Sequence, residues 1–136
     1  MTNEEKKVFL QSYQDSLRRL KRISAEIDEI QTMETGMPWA HRTAPKSDLS
    51  GWLAELGSLK KKLQKGQKDA SQTLEDVPKA INSLEDVRER SALFYRYING
   101  LNWWEVAGKM NYAESYVHRI HARALAHLEV PQNGRP

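Results

Sequence analysis

Apolar residues recur along the N-terminal part of the chain at spacings of three and four: Phe9, Tyr13, Leu17, Leu20, Ile23, Ile27 and Ile30. That period is one face of an α-helix. Thr2 with Glu5 reads as a capping box at its start, and Gly36 with Pro38 as its stop, so the pattern predicts a helix over Asn3 to Met33. At 1.5 Å per residue such a helix spans roughly 45 Å. Arg18, Arg19, Lys21, Arg22, Glu26, Asp28 and Glu29 fall on its solvent side, and its apolar stripe requires a partner.

Two prolines and the loss of periodicity predict a connecting loop over 36–47. Ser47 or Asp48 restarts a helix whose apolar face is Leu49, Trp52, Leu53, Leu56, Leu59 and Leu63, opposite the run Lys60, Lys61 and Lys62, which reads as a solvated face. The two helices can pair as an antiparallel hairpin, or the first can reach a second chain as in dimeric coiled coils; the residues leave both open. Gly66 to Thr73 either continues the second helix or forms a hinge. Pro78 suits the first turn of a following helix. The predicted organisation is therefore a long-helix region over 1–70 serving dimerisation or interaction, a linker or helix start over 71–80, and a compact domain over 81–130.

In that last region apolar residues crowd together: Ile81, Leu84, Val87, Leu93, Phe94, Tyr97, Ile98, Leu101, Val106, Ala107, Met110, Val117, Ile120, Ala124, Leu125 and Leu128. Gly100 ends one helix, and Asn102 with Glu105 forms a capping box for a helix of barely two turns, Trp103 to Met110. Asn111 follows where the chain needs a residue tolerant of left-handed backbone. A second helix then begins at once and runs over 113–128. So short a turn forces the two helices to cross steeply, with Ala107 as the small residue at their approach. The fold class is all-α: a long N-terminal helical hairpin or coiled coil, then a compact helix-turn-helix domain.

The 113–128 helix turns Val117, Ile120, Ala124 and Leu128 inward and Glu114, Ser115, Tyr116, His118, Arg119, Ala122 and Arg123 outward. A helix of this kind lies in a DNA major groove, its N-terminal outward residues at base edges and the rest at phosphates. Arg119 and Arg123 are the expected charge contacts. Trp103 belongs to the core face and Trp104 to the exposed one. His118 and His121 have the i, i+3 spacing of a two-imidazole metal site, but no carboxylate or thiolate completes a ligand set, so His118 is read as a groove-facing donor, His121 and His127 as packing or solvated residues, and neither metal nor cofactor is expected.

The stretch MNYAESYVHRIHARALAHL resembles the recognition-helix segment of sigma-factor region 4, with its Leu-Gly-x-Ser start, a Val and an Ile three residues apart, and an Ala-x-Ala-Leu-x-x-Leu end. YRYINGLNWWEVAGKM resembles the preceding Arg-Tyr-x-x-Gly-x-Ser-x-x-Glu-Ile-Ala stretch, and the likeness covers 81–128 without a gap. No segment resembles region 2. The whole arrangement is similar to short phage and prophage transcriptional regulators, including late-gene activators. The resemblance implies a sequence-specific regulator that binds double-stranded DNA through Glu114, Ser115, Tyr116, His118, Arg119 and Arg123, and whose N-terminal helices either dimerise it or dock RNA polymerase. Three positions depart from the pattern. Ala113 replaces an N-cap Ser or Thr, Glu114 to Tyr116 replace a frequent Arg-Glu-Arg run, and Asn111 replaces the turn glycine. The first departure removes a cap worth about 1 kcal/mol, and the second leaves the target sequence open.

Two rival readings are a phage DNA-packaging adaptor of the small terminase type, which also joins a helix-turn-helix to oligomerising helices, and an interaction module that binds RNA polymerase without reading DNA. A net charge of +3 gives only mild attraction to nucleic acid, which is why dimerisation is expected. The chain has no cysteine, which removes disulfides and thiolate sites. Its opening residues lack the apolar run of a signal peptide, and no stretch approaches a membrane span, so the expected location is the cytoplasm. No nucleophile with a base, paired carboxylates or phosphate loop is visible, so no enzyme is expected.

Overall fold

The computed structural model describes residues 1–35 and 46–131. Among these every regular element is a helix and there is no strand: α1 is Asn3–Thr35, α2 Lys46–Asn82, α3 Val87–Leu93, α4 Trp103–Met110 and α5 Glu114–His127. Between α3 and α4 the residues Phe94–Ile98 form a wide π-helical turn, closed by the bond from Asn99 N–H to the Phe94 carbonyl at 3.1 Å. Among the described residues no helix is long and apolar enough to cross a membrane. The loop expected over 36–47 falls outside them up to residue 45.

The Thr2 cap forms as expected, with Glu5 N–H donating to Thr2 Oγ1 at 3.2 Å. α2 runs without interruption through 66–80, so of the two alternatives for Gly66 to Thr73 the chain takes continuation of the second helix, and 71–80, expected as a linker or helix start, is helix interior. Pro78 sits inside that helix and not in a first turn, which leaves the Leu74 carbonyl without its usual donor.

Two compact units result: Met1–Ser16 with Gln72–Pro136, and Leu17–Ser71. In Leu17–Ser71, α1 and α2 pair as an antiparallel hairpin within the chain. A side-chain carbon added at Gly66 would lie 3.2 Å from both the Arg19 guanidinium and Ile23 Cδ1, and Lys60 Nζ stands 4.0 Å from Glu34. Ile23, Ile27, Ile30 and Ala70 are buried, Trp52, Leu53, Leu56 and Leu63 are half-buried, and Leu59, expected on the apolar face, is exposed.

In the other unit the first turns of α1, expected to belong with the long-helix region, pack against the C-terminal helices. Leu10 is fully buried and Phe9 nearly so, in one core with Val77, Ala80, Ile81, Leu84, Leu93, Tyr97, Ala124, Leu125 and Leu128. Two polar contacts fasten the same segment: Lys6 Nζ donates to the Leu125 carbonyl at 2.6 Å and Gln14 Nε2 to the Ile98 carbonyl at 2.7 Å. Each fully buried large side chain in such a core contributes roughly 1.5–3 kcal/mol. Val87 and Phe94, expected in this core, are exposed at 64% and 41%. Val87 begins α3 immediately after the cap Asp86, where a first-turn residue faces out, and Phe94 opens the π turn, whose extra residue shifts the helical phase.

Candidate functional site

The site is built on α4, a three-residue turn and α5. Asn102 and Glu105 cap α4 reciprocally: Glu105 N–H donates to Asn102 Oδ1 at 3.1 Å, and Asn102 N–H to Glu105 Oε1 at 3.2 Å. Asn111 ends the helix in the left-handed region, φ 59 and ψ 42, and the N–H of Tyr112 returns to the Ala107 carbonyl at 3.1 Å. Asparagine tolerates that backbone because its short side chain meets little steric conflict there. Ala113 takes up N-cap geometry, φ −65 and ψ 144, with no side-chain bond to offer the free N–H groups of α5.

α5 is firmly held on its inner side. Val117, Ile120 and Ala124 have no exposure; Val117 packs with Val106 and Ala107 from α4, while Ala124 and Leu125 enter the larger core. On its outer side Glu114, Ser115, His118, Arg119 and Arg123 are exposed. Arg119 and Arg123 stand one turn apart on that side.

Three of the predicted site residues, Glu114, Tyr116 and His118, are already engaged within the chain. His118 Nε2 lies 3.5 Å from Glu114, and its ring lies 4.8 Å from that of Trp103. Tyr116 is half-buried: its hydroxyl accepts a bond from Arg88 Nη1 at 2.6 Å, and its ring meets the edge of Tyr112 at 5.0 Å. Arg88, from the first turn of α3, also reaches Asp86 Oδ2 at 3.4 Å. The Arg88 backbone N–H and then its guanidinium hold the Asp86 carboxyl below the usual carboxylate range. Sequence reasoning missed Arg88, because nothing in the spacing of residues 88 and 116 signals that α3 and α5 bring them together.

Behind the outer face lies an aromatic and histidine cluster. His121 is 8% exposed, its Nε2 shares a hydrogen bond with the Tyr97 hydroxyl at 2.8 Å, and its ring packs on Trp103 at 4.6 Å. Burial, reinforced by Lys7, His118 and Arg96, lowers its pKa to about 4, so the imidazole is neutral near pH 7 and can act as the acceptor. Burial in turn pushes the Tyr97 phenol up. The Arg96 guanidinium sits 4.8 Å from the Trp103 ring centre and donates to the Leu101 carbonyl at 3.0 Å, joining the π turn to the start of α4. The i, i+3 spacing of His118 and His121 thus serves packing around Trp103, which is half-buried as expected of the core-facing tryptophan; Trp104 is 68% exposed.

A cavity of about 480 Å³ opens elsewhere in this unit, lined by Ser83, Glu85, Asp86, Glu89, His127 and Glu129. Its buried carboxylate, Glu89, accepts a bond from His127 Nδ1 at 2.6 Å. Among the described residues no group of three or more His, Cys, Asp or Glu is arranged to hold a metal ion. The acidic lining of this cavity suits no anionic ligand.

Comparison with known proteins yields one relation. No curated protein matches the chain, and no solved structure matches it. A family model described as "Protein of unknown function (DUF1492)" matches residues 48–129, more than half of the chain and all of α3, α4 and α5. The chain belongs to the DUF1492 family.

Proposed function

We propose that this chain is a sequence-specific DNA-binding transcriptional regulator that reads the major groove with α5. The observation that carries the reading is the division of α5 into a fully buried side, Val117, Ile120 and Ala124, and an exposed side bearing Ser115, His118, Arg119 and Arg123. A helix fixed by one face presents the other as a preorganised template. Laid in a major groove, its first turns meet base edges, and Arg119 and Arg123 reach guanine edges or phosphates. Tyr116, tied to Arg88, acts through its ring position more than through a free hydroxyl. The resemblance of 81–128 to sigma region 4 supports the same use, and with it kinship to phage and prophage regulators and contact with RNA polymerase.

Self-association of the long helices would double the DNA contacts per assembly. Because α1 and α2 already pair with each other over Leu17–Ser71, such a dimer would form through outer surfaces of the hairpin and not by exchange of α1.

Selection of bound fragments from genomic DNA, followed by affinity measurement on the recovered site, tests the reading. Arg119→Ala should weaken binding by ~1–3 kcal/mol with unchanged helical circular dichroism. Unchanged affinity would remove α5 as the reading element. The mass of the complex separates a dimer from the large ring of a packaging adaptor.

A further inference from the structure

The two units differ in charge. Leu17–Ser71 carries eleven Lys and Arg against seven Asp and Glu, whereas the unit that contains α5 carries ten against eleven. Within the hairpin the imbalance is concentrated: residues 17–25 and 60–71 together hold nine Lys and Arg and a single acid, Asp69, while Glu26, Asp28, Glu29, Glu34, Asp48 and Glu55 lie outside those segments in sequence. Tertiary structure brings 17–25 beside the part of the second segment around Gly66, while Lys60, at its other end, stands 4.0 Å from Glu34. Gly66 leaves room for the Arg19 guanidinium to lie against α2, and the close approach of Ile23 at the same point fixes the two helices level with each other there. Arg19, Lys21, Arg22, Lys61, Lys62, Lys65 and Lys68 are all exposed.

We propose that this basic stretch of the hairpin is a second nucleic-acid site, one that takes the phosphodiester backbone of duplex DNA without regard to sequence. Seven exposed cations on two adjacent helices supply the point charges that release condensed counterions from a duplex. The unit bearing α5, with a slight excess of acids, supplies no comparable long-range attraction. Arginine and lysine on flexible stems suit a charge-dense and sequence-indifferent ligand. A lipid surface fits less well, because interfacial helices insert exposed apolar side chains among their cations. Within 17–25 and 60–71 Ile23 is buried, Leu17, Leu20 and Leu63 are half-buried, and no large apolar side chain is exposed. The choice of DNA as the polyanion rests on the function proposed above; the binding step itself is independent of what α5 reads.

The test measures affinity of the full chain for a short random-sequence duplex by fluorescence anisotropy over a salt series. Lys61, Lys62, Lys65 and Lys68 replaced together by Gln should lower affinity at least tenfold at low salt and flatten the slope of log K on log salt by up to about 3.6, at roughly 0.9 per lost phosphate contact. The charge-preserving set of four Lys→Arg changes should keep both affinity and slope, which controls for folding. The Gln variant should also keep the ratio of selected-site to random-site affinity, whereas Arg119→Ala lowers that ratio. An unchanged slope in the Gln variant overturns the proposal, as does equal loss in the Arg variant. Retention on vesicles of phosphatidylcholine and phosphatidylserine without binding to the duplex also overturns it, in favour of a membrane surface. Should genomic selection recover no preferred site while the random duplex still binds with the expected slope, the α5 reading fails and the hairpin site stands.

Discussion

α5 and the basic stretch of the hairpin both present cations, but they hold them differently. On α5, Arg119 and Arg123 stand on a helix whose opposite side is packed without exposure, so their positions are fixed by the core beneath them. On the hairpin, Lys61, Lys62, Lys65 and Lys68 project from a helix whose apolar side is largely half-buried, and their number outweighs their placement. Rigid placement of a few groups serves discrimination, because a base edge is recognised by angle and distance. Many mobile charges serve attraction, because the phosphate field is the same at every step. On the proposed reading, the two regions divide specificity from affinity.

The largest expected effect breaks the comparison on the packing side. Ile120→Ala should lower the free energy of unfolding by ~2–5 kcal/mol, since it opens a cavity in a closed core, whereas Leu59→Ala, at a position 48% exposed, should change it by less than about 0.5 kcal/mol. Urea denaturation measures both, and similar losses at the two positions would erase the contrast in rigidity.

A smaller effect concerns pH. His121 has its folded-state pKa lowered to about 4, below its value of about 6.5 in an unfolded chain. As pH falls through 6.5 the unfolded state takes up the proton first, so stability present above pH 6.5 is lost progressively until about pH 4, where the folded state titrates too. The loss should be on the order of 3 kcal/mol, and His121→Phe should flatten it. An imidazole NMR titration with a midpoint near the ordinary value would overturn the account of the cluster behind α5.

The smallest effect sharpens the comparison at the N-terminus of α5. Ala113 already has cap geometry but no cap side chain, so Ala113→Ser should stabilise the unit by about 0.5–1 kcal/mol. Thermal denaturation would detect it, and a matching gain in affinity for the selected site would show that fraying of α5 costs binding.

Several elements of the fold were legible in the residues. The Asn102–Glu105 cap, the left-handed Asn111 and the buried positions 117, 120 and 124 all follow from local rules: backbone sterics, orphan N–H groups and a 3.6-residue period. Positions shaped by more than one neighbour were not legible. Leu10 lies off the stripe that predicts Phe9 and Tyr13, yet it is fully buried, because the first turns of α1 meet a bundle and not one partner helix. Gly66 reads in sequence as either helix continuation or a hinge, and is a point of close approach in the hairpin. Tyr116 reads as a free outward residue and is held by Arg88, twenty-eight positions away.

The sequence by itself determined the helices, their caps, the tight turn before α5 and the sign of each face, since these depend on residues within a few positions of one another. Only the tertiary structure decided that the first sixteen residues join the C-terminal unit, that α1 and α2 pair within the chain, and that two separated basic runs meet around Gly66. The physical reason is range. Propensity and capping act over one or two turns of helix, whereas the burial of one apolar stripe can be satisfied by any complementary stripe, and the choice among them appears only when the whole chain packs.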